Sequence, residues 1–312
     1  MKRFIPLLFL LLWLLCGCSA PSGPAEPMPA APTAATVSVP STAPTAIPET
    51  KPAETTAPVP SQPEPDDTDF VRVLDYLPNA RQHLVYATED NFTGQPIYDF
   101  SDAWLRYGTV KKLMAVSRDL EALGYGLLIW DGFRPVSAQF RLWEICPDPT
   151  YVANPETGFS SHSRGNTLDL TLTDVEGKLL EMPTGFDVFS PLADRDYSDC
   201  TEAAREHAFL LQRTMEDHGF SGYFGEWWHF SDTERYPVEE GFTPVSPTLL
   251  YARCSEFITL RTAPDTAADA ITRIPKDDTF LLLAQSGDFF LVDYRGLRGY
   301  VLSSYTAPVD NP

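Results

Sequence analysis

The segment SSHSRGNTLDL, residues 160–170, brings together two side chains that could do chemistry, His162 and Asp169. Small and polar residues separate them, with a glycine at position 165, and the whole chain has only 5 histidines. An imidazole and a carboxylate can both bind a metal ion, but both are also ordinary members of a polar loop. The segment alone therefore leaves open whether it forms half of a metal site.

A second segment, GEWWHF (225–230), supplies Glu226 and His229. These residues are three apart, so their side chains would point to opposite faces of an ideal strand, and a bend is needed to bring both to one pocket. The two segments together offer two imidazoles, two carboxylates and no thiolate. That set suits an open catalytic zinc site, with three protein ligands and a fourth position for water. The remaining carboxylate would act as general base, and the spacing does not say which one that is.

Hydrophobic periodicity predicts the elements that must position these side chains. Helical spacing of apolar residues occurs in three segments: 101–126, 137–145 and 201–220. We expect Ser137 and Thr201 to cap the second and third helices, and Gly124 and Gly219 to end the first and third.

Strands are predicted at three further segments: 125–133, 167–174 and 222–232. Thr and Leu alternate in 167–174, which predicts a strand with only one face buried. Helices that come before the strands, with one further helix between strands, indicate an α+β domain. We expect a central antiparallel sheet flanked by helices.

The order of the motifs resembles a known family. SSHSRGNTLDLTL and EWWHF are similar to the paired motifs of LAS-type zinc peptidases, S-x-H-x-x-G-x-x-x-D and E-x-x-H. Within that group, YATEDNFTGQPIY (86–98) and GYGLLIWDGFRP (124–135) resemble the VanX-type D-alanyl-D-alanine dipeptidases of peptidase family M15. The resemblance covers roughly residues 68 to 237, and the motifs follow the family's order.

The resemblance implies a role for each matching residue. It implies one zinc ion per chain, bound by His162, Asp169 and His229. Glu226 would be the catalytic base and later deliver the proton to the leaving amine. Arg134, in DGFRP, would face the scissile carbonyl oxygen and stabilise the oxyanion.

Three more residues match positions that bind the substrate in this family. Asp187, in MPTGFD, matches the carboxylate that binds the free amino group of the substrate. Tyr86 and Ser160 match residues that line the dipeptide pocket. A site that binds both charged ends of a dipeptide also excludes longer chains, because a missing terminal charge leaves a buried partner unpaired.

The C-terminal segment 248–308 has short β-rich runs separated by Gly, Asp and Pro turns. LRTAPDT near its start and GLRGYVLSSY near its end resemble a bacterial SH3-like domain, which predicts a small all-β barrel. Such a domain would bind peptidoglycan peptides, or would serve only as a packing appendage of the catalytic domain.

The N-terminus predicts export and a lipid anchor. Lys2 and Arg3 precede an apolar run that is too short for a comfortable membrane span. Leu15 and Gly17 stand before Cys18 as in a bacterial lipoprotein cleavage box, so we expect a lipid on Cys18 and a location on the outer face of the bacterial cell membrane.

The chain therefore divides into four predicted parts: a signal peptide (1–18), a tether (19–66), a zinc peptidase domain (67–245) and an SH3-like domain (246–312). The tether holds 13 of the 29 prolines and no aromatic residue, so it cannot bury enough apolar surface to fold. The net charge of −20 argues against nucleic acid as a partner, since nonspecific binding to nucleic acid needs a basic face.

Three functions remain open at this point. The first is hydrolysis of the D-Ala-D-Ala dipeptide, or a related cell-wall peptide, at the cell surface. The second is a peptidoglycan D,D-carboxypeptidase or endopeptidase that trims stem peptides with the same metal site. The third is a wall-binding lipoprotein without activity, against which the intact set of ligands, base and arginine argues.

Overall fold

A computed structural model describes residues 63–309 of the 312-residue chain. The predicted signal peptide, Cys18 and most of the predicted tether lie outside the described residues. Among the residues described, helices are too short or too polar to cross a membrane. The α+β class expected from the sequence is confirmed.

The first part of the described chain holds seven strands: β1 (Phe70–Arg72), β2 (Arg81–Gln82), β3 (Trp104–Arg106), β4 (Tyr125–Asp131), β5 (Thr167–Asp174), β6 (Phe220–Tyr223) and β7 (Glu226–Asp232). Its α-helices are α1 (Tyr107–Ala122), α2 (Val136–Ile145) and α3 (Glu202–Asp217). The central sheet has the order β2-β4-β5-β7-β6, in which β2 and β4 run parallel and the other neighbours antiparallel. Helices α1 and α3 pack against each other and against this sheet.

Some of the helix ends predicted from the sequence are confirmed and others are wrong. Gly124 and Gly219 lie just beyond α1 and α3 with φ of +85° and +84°, a left-handed conformation that glycine adopts without strain, and both predicted ends are confirmed. The predicted start of the first helix at 101 is wrong. Residues 104–106 instead pair with β1 as strand β3, in which the apolar side chains of Trp104 and Leu105 are buried.

The two predicted N-caps differ in outcome. The hydroxyl of Thr201 accepts a hydrogen bond from the Ala204 amide at 3.2 Å, so this cap is confirmed. The prediction for Ser137 is wrong, since Pro135 occupies the N-cap position of α2 and Ser137 lies exposed inside the helix. Proline favours extended backbone in the residue before it, and the helix boundary lies two residues earlier than a cap at Ser137 would place it.

Strand β5 is buried on both faces, so the prediction of a half-buried strand is wrong. Leu168 and Leu170 on one face are fully buried, and α3 packs against this strand. Thr167 and Thr171 on the other face are equally buried. The Thr167 hydroxyl lies 2.8 Å from the Ser231 hydroxyl, and this hydrogen bond offsets the cost of burying both groups.

The C-terminal part is a second, antiparallel sheet of seven strands: β8 (Phe242–Ala252), β9 (Phe257–Arg261), β10 (Ala270–Pro275), β11 (Thr279–Ser286), β12 (Phe289–Tyr294), β13 (Leu297–Leu302) and β14 (Thr306–Pro308). Strand β8 runs across the predicted boundary between residues 245 and 246. Its first residue, Phe242, stacks on Phe70 of β1 with ring centroids 4.3 Å apart. The apolar core of the first part therefore extends onto one side of this sheet, while the sheet also has a core cluster of its own.

We predict that Thr201→Ala lowers the free energy of unfolding by about 1 kcal/mol, because the Ala204 amide loses its capping partner. Ser137→Ala is the matched control, and it is expected to change stability by no more than about 0.5 kcal/mol. Urea unfolding followed by circular dichroism measures both. Equal losses for the two variants would contradict the assignment of the caps.

Candidate metal centre and active site

A single short turn holds His162. Ser161–Arg164 form a 3-10 turn, and the Ser160 side chain accepts a hydrogen bond from the His162 amide at 3.3 Å. Gly165 ends the turn with φ of +75°. A Cβ atom at Gly165 would lie 2.4 Å from the ring of Phe70, so glycine is required here both for its conformation and for space.

A backbone carbonyl sets which nitrogen of His162 is available. Nδ1 lies 2.8 Å from the carbonyl oxygen of Gly132, which can only accept a hydrogen bond. Nδ1 therefore carries a proton, and Nε2 keeps its lone pair. An imidazole fixed in this way by a second hydrogen bond is the usual arrangement of a metal-binding histidine.

Three ligand atoms meet beside this turn. Asp169 on β5 and His229 on β7 are directly paired across the two strands. His162 Nε2 lies 3.4 Å from Asp169 Oδ2 and 3.3 Å from His229 Nδ1, and His229 Nδ1 lies 3.1 Å from Asp169 Oδ1. One ligand atom from each residue lies within 4.8 Å of the other two, a spacing that a single metal ion can bridge.

The electrostatics of this cluster favour a cation. Although burial opposes ionisation, the two histidines hold the pKa of Asp169 well below its usual value. Burial alone would lower the pKa of His162, but the charges of Asp169 and Asp131 raise it. Asp169 Oδ1 is also buried without a hydrogen-bond donor. Two imidazole nitrogens and one carboxylate oxygen form a donor set that fits zinc.

A bulge in β7 brings the side chains of Glu226 and His229 to the same pocket, although the two residues are three apart. Gly222 on β6 pairs with Phe230, but the next residue, Tyr223, pairs with Glu226, so residues 227–229 bulge out of the ladder. Bulges bend a strand and redirect its side chains. The carboxylate of Glu226 thereby comes within 3.5 Å of His229 Nδ1, and burial raises the pKa of Glu226.

Arg134 enters the same site from the segment after β4. Its Nη2 donates to Asp131 Oδ2 at 2.6 Å, Nη1 donates to Gln139 Oε1 at 3.0 Å, and Nε lies 3.3 Å from the Tyr98 hydroxyl. Burial alone would lower the pKa of Arg134, but the charge of Asp131 raises it well above its usual value. The guanidinium is therefore a fixed, permanent positive charge.

Asp187 lies at the wall of the site in a left-handed backbone conformation, with φ of +53°. The hydroxyl of Tyr86 donates to its Oδ2 at 2.7 Å. The ring of Tyr86 also lies under the guanidinium of Arg134, 5.0 Å from its carbon. Tyr86 therefore connects the carboxylate of Asp187 with the arginine.

One cavity of about 300 Å³ contains all of these groups. Its walls include every described residue that the sequence assigns to the site: Tyr86, Arg134, Ser160, His162, Asp169, Asp187, Glu226 and His229. The ninth assigned residue, Cys18, lies outside the described residues. Aromatic side chains complete the walls: Tyr151, Phe159, Phe189 and Tyr223.

Comparison with known proteins agrees with this geometry. Residues 66–246 match the Peptidase_M15 family, described as D-ala-D-ala dipeptidase, and residues 256–307 match the bacterial SH3 domain. A D-alanyl-D-alanine dipeptidase of Escherichia coli is 37% identical over 175 residues, which cover 55% of this chain and 90% of that protein. A D-alanyl-D-alanine dipeptidase of Enterococcus faecalis is 34% identical over 189 residues, covering 54% of this chain and 94% of that protein.

The chain belongs to the M15 peptidase family. The family match spans more than half of the chain, and the resemblance stated from the motifs is confirmed. The bacterial SH3 domain that follows it is confirmed as well.

Sequence reasoning missed several residues that hold the peptidase site together. Asp131 and Tyr98 bond to each other at 2.8 Å and fix Arg134, and Gln139 binds it from α2. Asp131 stands three residues before Arg134 in the quoted DGFRP segment, and this spacing was a usable signal. Tyr98 is far away in sequence, and no local pattern indicates its contact.

We predict that Asp187→Asn makes this M15 peptidase more stable at alkaline pH. Burial raises the pKa of Asp187 to about 7 from an ordinary value of 3.8. A carboxyl group whose pKa rises on folding contributes stability at low pH, and this contribution is lost as the pH rises through the folded-state value. At pH 8 the ionised carboxylate should therefore cost on the order of 1–4 kcal/mol, which asparagine removes.

Urea unfolding of both proteins at pH 5 and pH 8 measures this effect. A chelator is included, so that a bound cation does not change the charge balance. We expect Asp187→Asn to raise the free energy of unfolding clearly at pH 8 and much less at pH 5. A loss of stability at pH 8 would contradict the raised pKa.

Proposed function

We propose that this M15 peptidase is a zinc dipeptidase that hydrolyses D-alanyl-D-alanine to two D-alanines. The observation that carries the proposal is the presence of Asp187, a partly buried carboxylate, in the same cavity as the metal-ligand cluster and Glu226. A free dipeptide has an amino group that such a carboxylate can bind. The curated relatives named D-alanyl-D-alanine dipeptidase, at 34–37% identity, support the choice of substrate.

His162 Nε2, an oxygen of Asp169 and His229 Nδ1 would hold the zinc. When bound, zinc supplies a Lewis acid that polarises the peptide carbonyl and lowers the pKa of a water molecule to roughly 7. Asp169 reduces the net charge of the occupied site, while the Nδ1–H of His162 remains hydrogen-bonded to the Gly132 carbonyl.

Glu226 moves the proton. Its carboxylate lies beside the ligand cluster, so it can take a proton from the attacking water and then give it to the leaving amine. The raised pKa of Glu226 suits both steps, because a group that must accept and then release a proton works best with a pKa near the operating pH.

Arg134 stabilises the negative charge that develops on the carbonyl oxygen. A guanidinium has five N–H groups, and the bonds to Asp131, Gln139 and Tyr98 use one on each nitrogen. One N–H therefore remains on each terminal nitrogen for the substrate. Because the other contacts already fix the arginine, little reorganisation is needed as charge develops.

Asp187 selects a substrate with a free amine. A stem peptide has an amide where the dipeptide has its ammonium group, so it would cover the partly buried carboxylate of Asp187 without giving it a cationic partner. Leaving a buried charge unpaired costs about 1–3 kcal/mol or more, which favours the free dipeptide over peptidoglycan stems.

We predict that D-Ala-D-Ala is hydrolysed at least about 10²-fold more efficiently, in kcat/KM, than N-acetyl-D-Ala-D-Ala or a pentapeptide ending in D-Ala-D-Ala. Release of free D-Ala from each compound measures this. Asp187→Asn should lower the rate on the dipeptide and narrow the gap between dipeptide and acetylated dipeptide. Faster hydrolysis of the pentapeptide would show a D,D-carboxypeptidase instead.

Glu226→Gln tests the chemical step separately from zinc binding. It keeps the shape of the side chain but removes the base, so kcat should fall about 10²–10⁴-fold while zinc binding is retained. Robust turnover by this variant would contradict the role of Glu226 and leave the mechanism without a base.

The peptidase also acts outside the cell in this proposal. The N-terminal sequence supports export and lipid attachment at Cys18, which would hold the enzyme at the outer face of the cell membrane, near cell-wall material. The bacterial SH3 domain would then contribute a contact to wall peptides.

We predict that Cys18→Ala abolishes the attachment of a fatty acid, because the acylated residue is lost. Incorporation of a labelled fatty acid in bacteria expressing each variant measures the attachment. Cys16→Ala is the control and should retain the label. Equal labelling of Cys18→Ala and the unchanged protein would contradict the assignment.

A further inference from the structure

The β6–β7 hairpin carries Glu226 and His229, yet part of it lacks a regular ladder. The pairing passes from Gly222↔Phe230 directly to Tyr223↔Glu226, so residues 227–229 have no partner residue on β6. Backbone carbonyls in such a bulge must find donors elsewhere, since leaving them unpaired in the interior is costly.

Arg195 supplies those donors from the segment before α3. Its Nη2 donates to the carbonyl oxygens of Trp227 at 3.0 Å and His229 at 2.8 Å. Its Nε donates to the Tyr223 carbonyl at 2.8 Å, on the opposite side of the hairpin. The backbone amide of Arg195 binds the carbonyl of Phe224 in the connecting turn at 3.0 Å. One residue therefore ties both strands and their turn together.

The space for this side chain is built into the hairpin. A Cβ atom at Gly222 would lie 2.2 Å from Cζ and 2.6 Å from Nη2 of Arg195, so the missing side chain of Gly222 is the room that the guanidinium occupies. The guanidinium also lies 4.3 Å from the centre of the Phe230 ring, a favourable cation–π contact.

We propose that Arg195 is a positioning residue for the reaction: it fixes the bulge that turns Glu226 and His229 toward the same metal site. The expected loss of activity rests on the proposed function, whereas the expected displacement of Glu226 and His229 does not. Arg195 is not among the residues that line the cavity, so it acts through the backbone of β7. The carbonyl of His229, a predicted ligand, is itself one of the groups it holds.

The geometry requires an arginine rather than a positive charge alone. A planar guanidinium presents donors in a fixed fork, and here Nε and Nη2 reach three carbonyls on two strands. A lysine ammonium is a single point with rotating donors and cannot span the same carbonyls. Arg195→Lys therefore keeps the charge and tests the geometry.

The first test compares Arg195→Lys with the unchanged zinc-loaded protein. We expect kcat on D-Ala-D-Ala to fall about 10²-fold with KM changed less than about 3-fold, since a small displacement of reacting groups has this effect. Zinc affinity, measured by chelator competition, should weaken at least 10-fold because His229 is displaced. A lower Tm together with unchanged kcat and zinc affinity would show a merely structural role and overturn the proposal.

The second test displaces the guanidinium without removing it. Gly222→Ala has no backbone strain to overcome but places a methyl group where Arg195 lies, so it should reproduce the loss of zinc affinity. In an Arg195→Ala background the same methyl group meets free space, so the double variant should bind zinc as tightly as Arg195→Ala does. If the losses of zinc affinity in the two single variants simply add in the double variant, the proposal is overturned. Two residues that act through the same contact are expected to have non-additive effects.

Arg81→Ala is the matched control. Arg81 is an exposed arginine on β2 of the same sheet whose Nη2 also binds a backbone carbonyl, that of Glu176, at 2.7 Å. It should leave kcat and zinc affinity unchanged. If the unchanged protein fails to hydrolyse D-Ala-D-Ala, the proposed function fails, yet the zinc-affinity measurements still decide the role of Arg195.

Discussion

The site depends on the convergence of two imidazole nitrogens and a carboxylate oxygen within 4.8 Å in the interior of the fold. Bringing these groups together out of water is costly unless a cation compensates them. The demand comes from Asp169, whose carboxylate is buried beside both imidazoles, whereas the neighbouring carboxylate of Asp131 is already paired with Arg134. The turn at residues 161–164, the pairing of β5 with β7 and the bulge in β7 all serve to bring the three ligand atoms to one point.

The positions of these groups depend on interruptions of regular structure, each held by a specific contact. Gly165 lets the His162 turn close against Phe70, and Arg195 binds the carbonyls that the β7 bulge leaves without ladder partners. The same Phe70 stacks on Phe242, the first residue of the strand that leads into the SH3 domain. The interior that supports the metal site is therefore continuous with the C-terminal part.

Features that depend on neighbouring residues could be predicted from the sequence, whereas features that depend on contacts between distant segments could not. The cap at Thr201, the glycines after α1 and α3, and strand 167–174 follow from neighbouring residues and are correct in place. The burial of both faces of β5 could not be inferred, because it depends on elements that pack from elsewhere in the chain. The motifs predicted that Glu226 and His229 must share a pocket and that a bend was needed, but the register shift that provides it depends on Gly222 and Arg195.

A crystal structure of the zinc-loaded protein, with anomalous diffraction measured at the zinc absorption edge, would locate the metal directly. We expect one zinc ion per chain, bonded to His162 Nε2, an oxygen of Asp169 and His229 Nδ1 at about 2.0–2.2 Å. Glu226 should lie next to the ion without binding it. A metal ion at another place, or one that takes Glu226 as a ligand in place of Asp169, would show that these three residues are not the metal site.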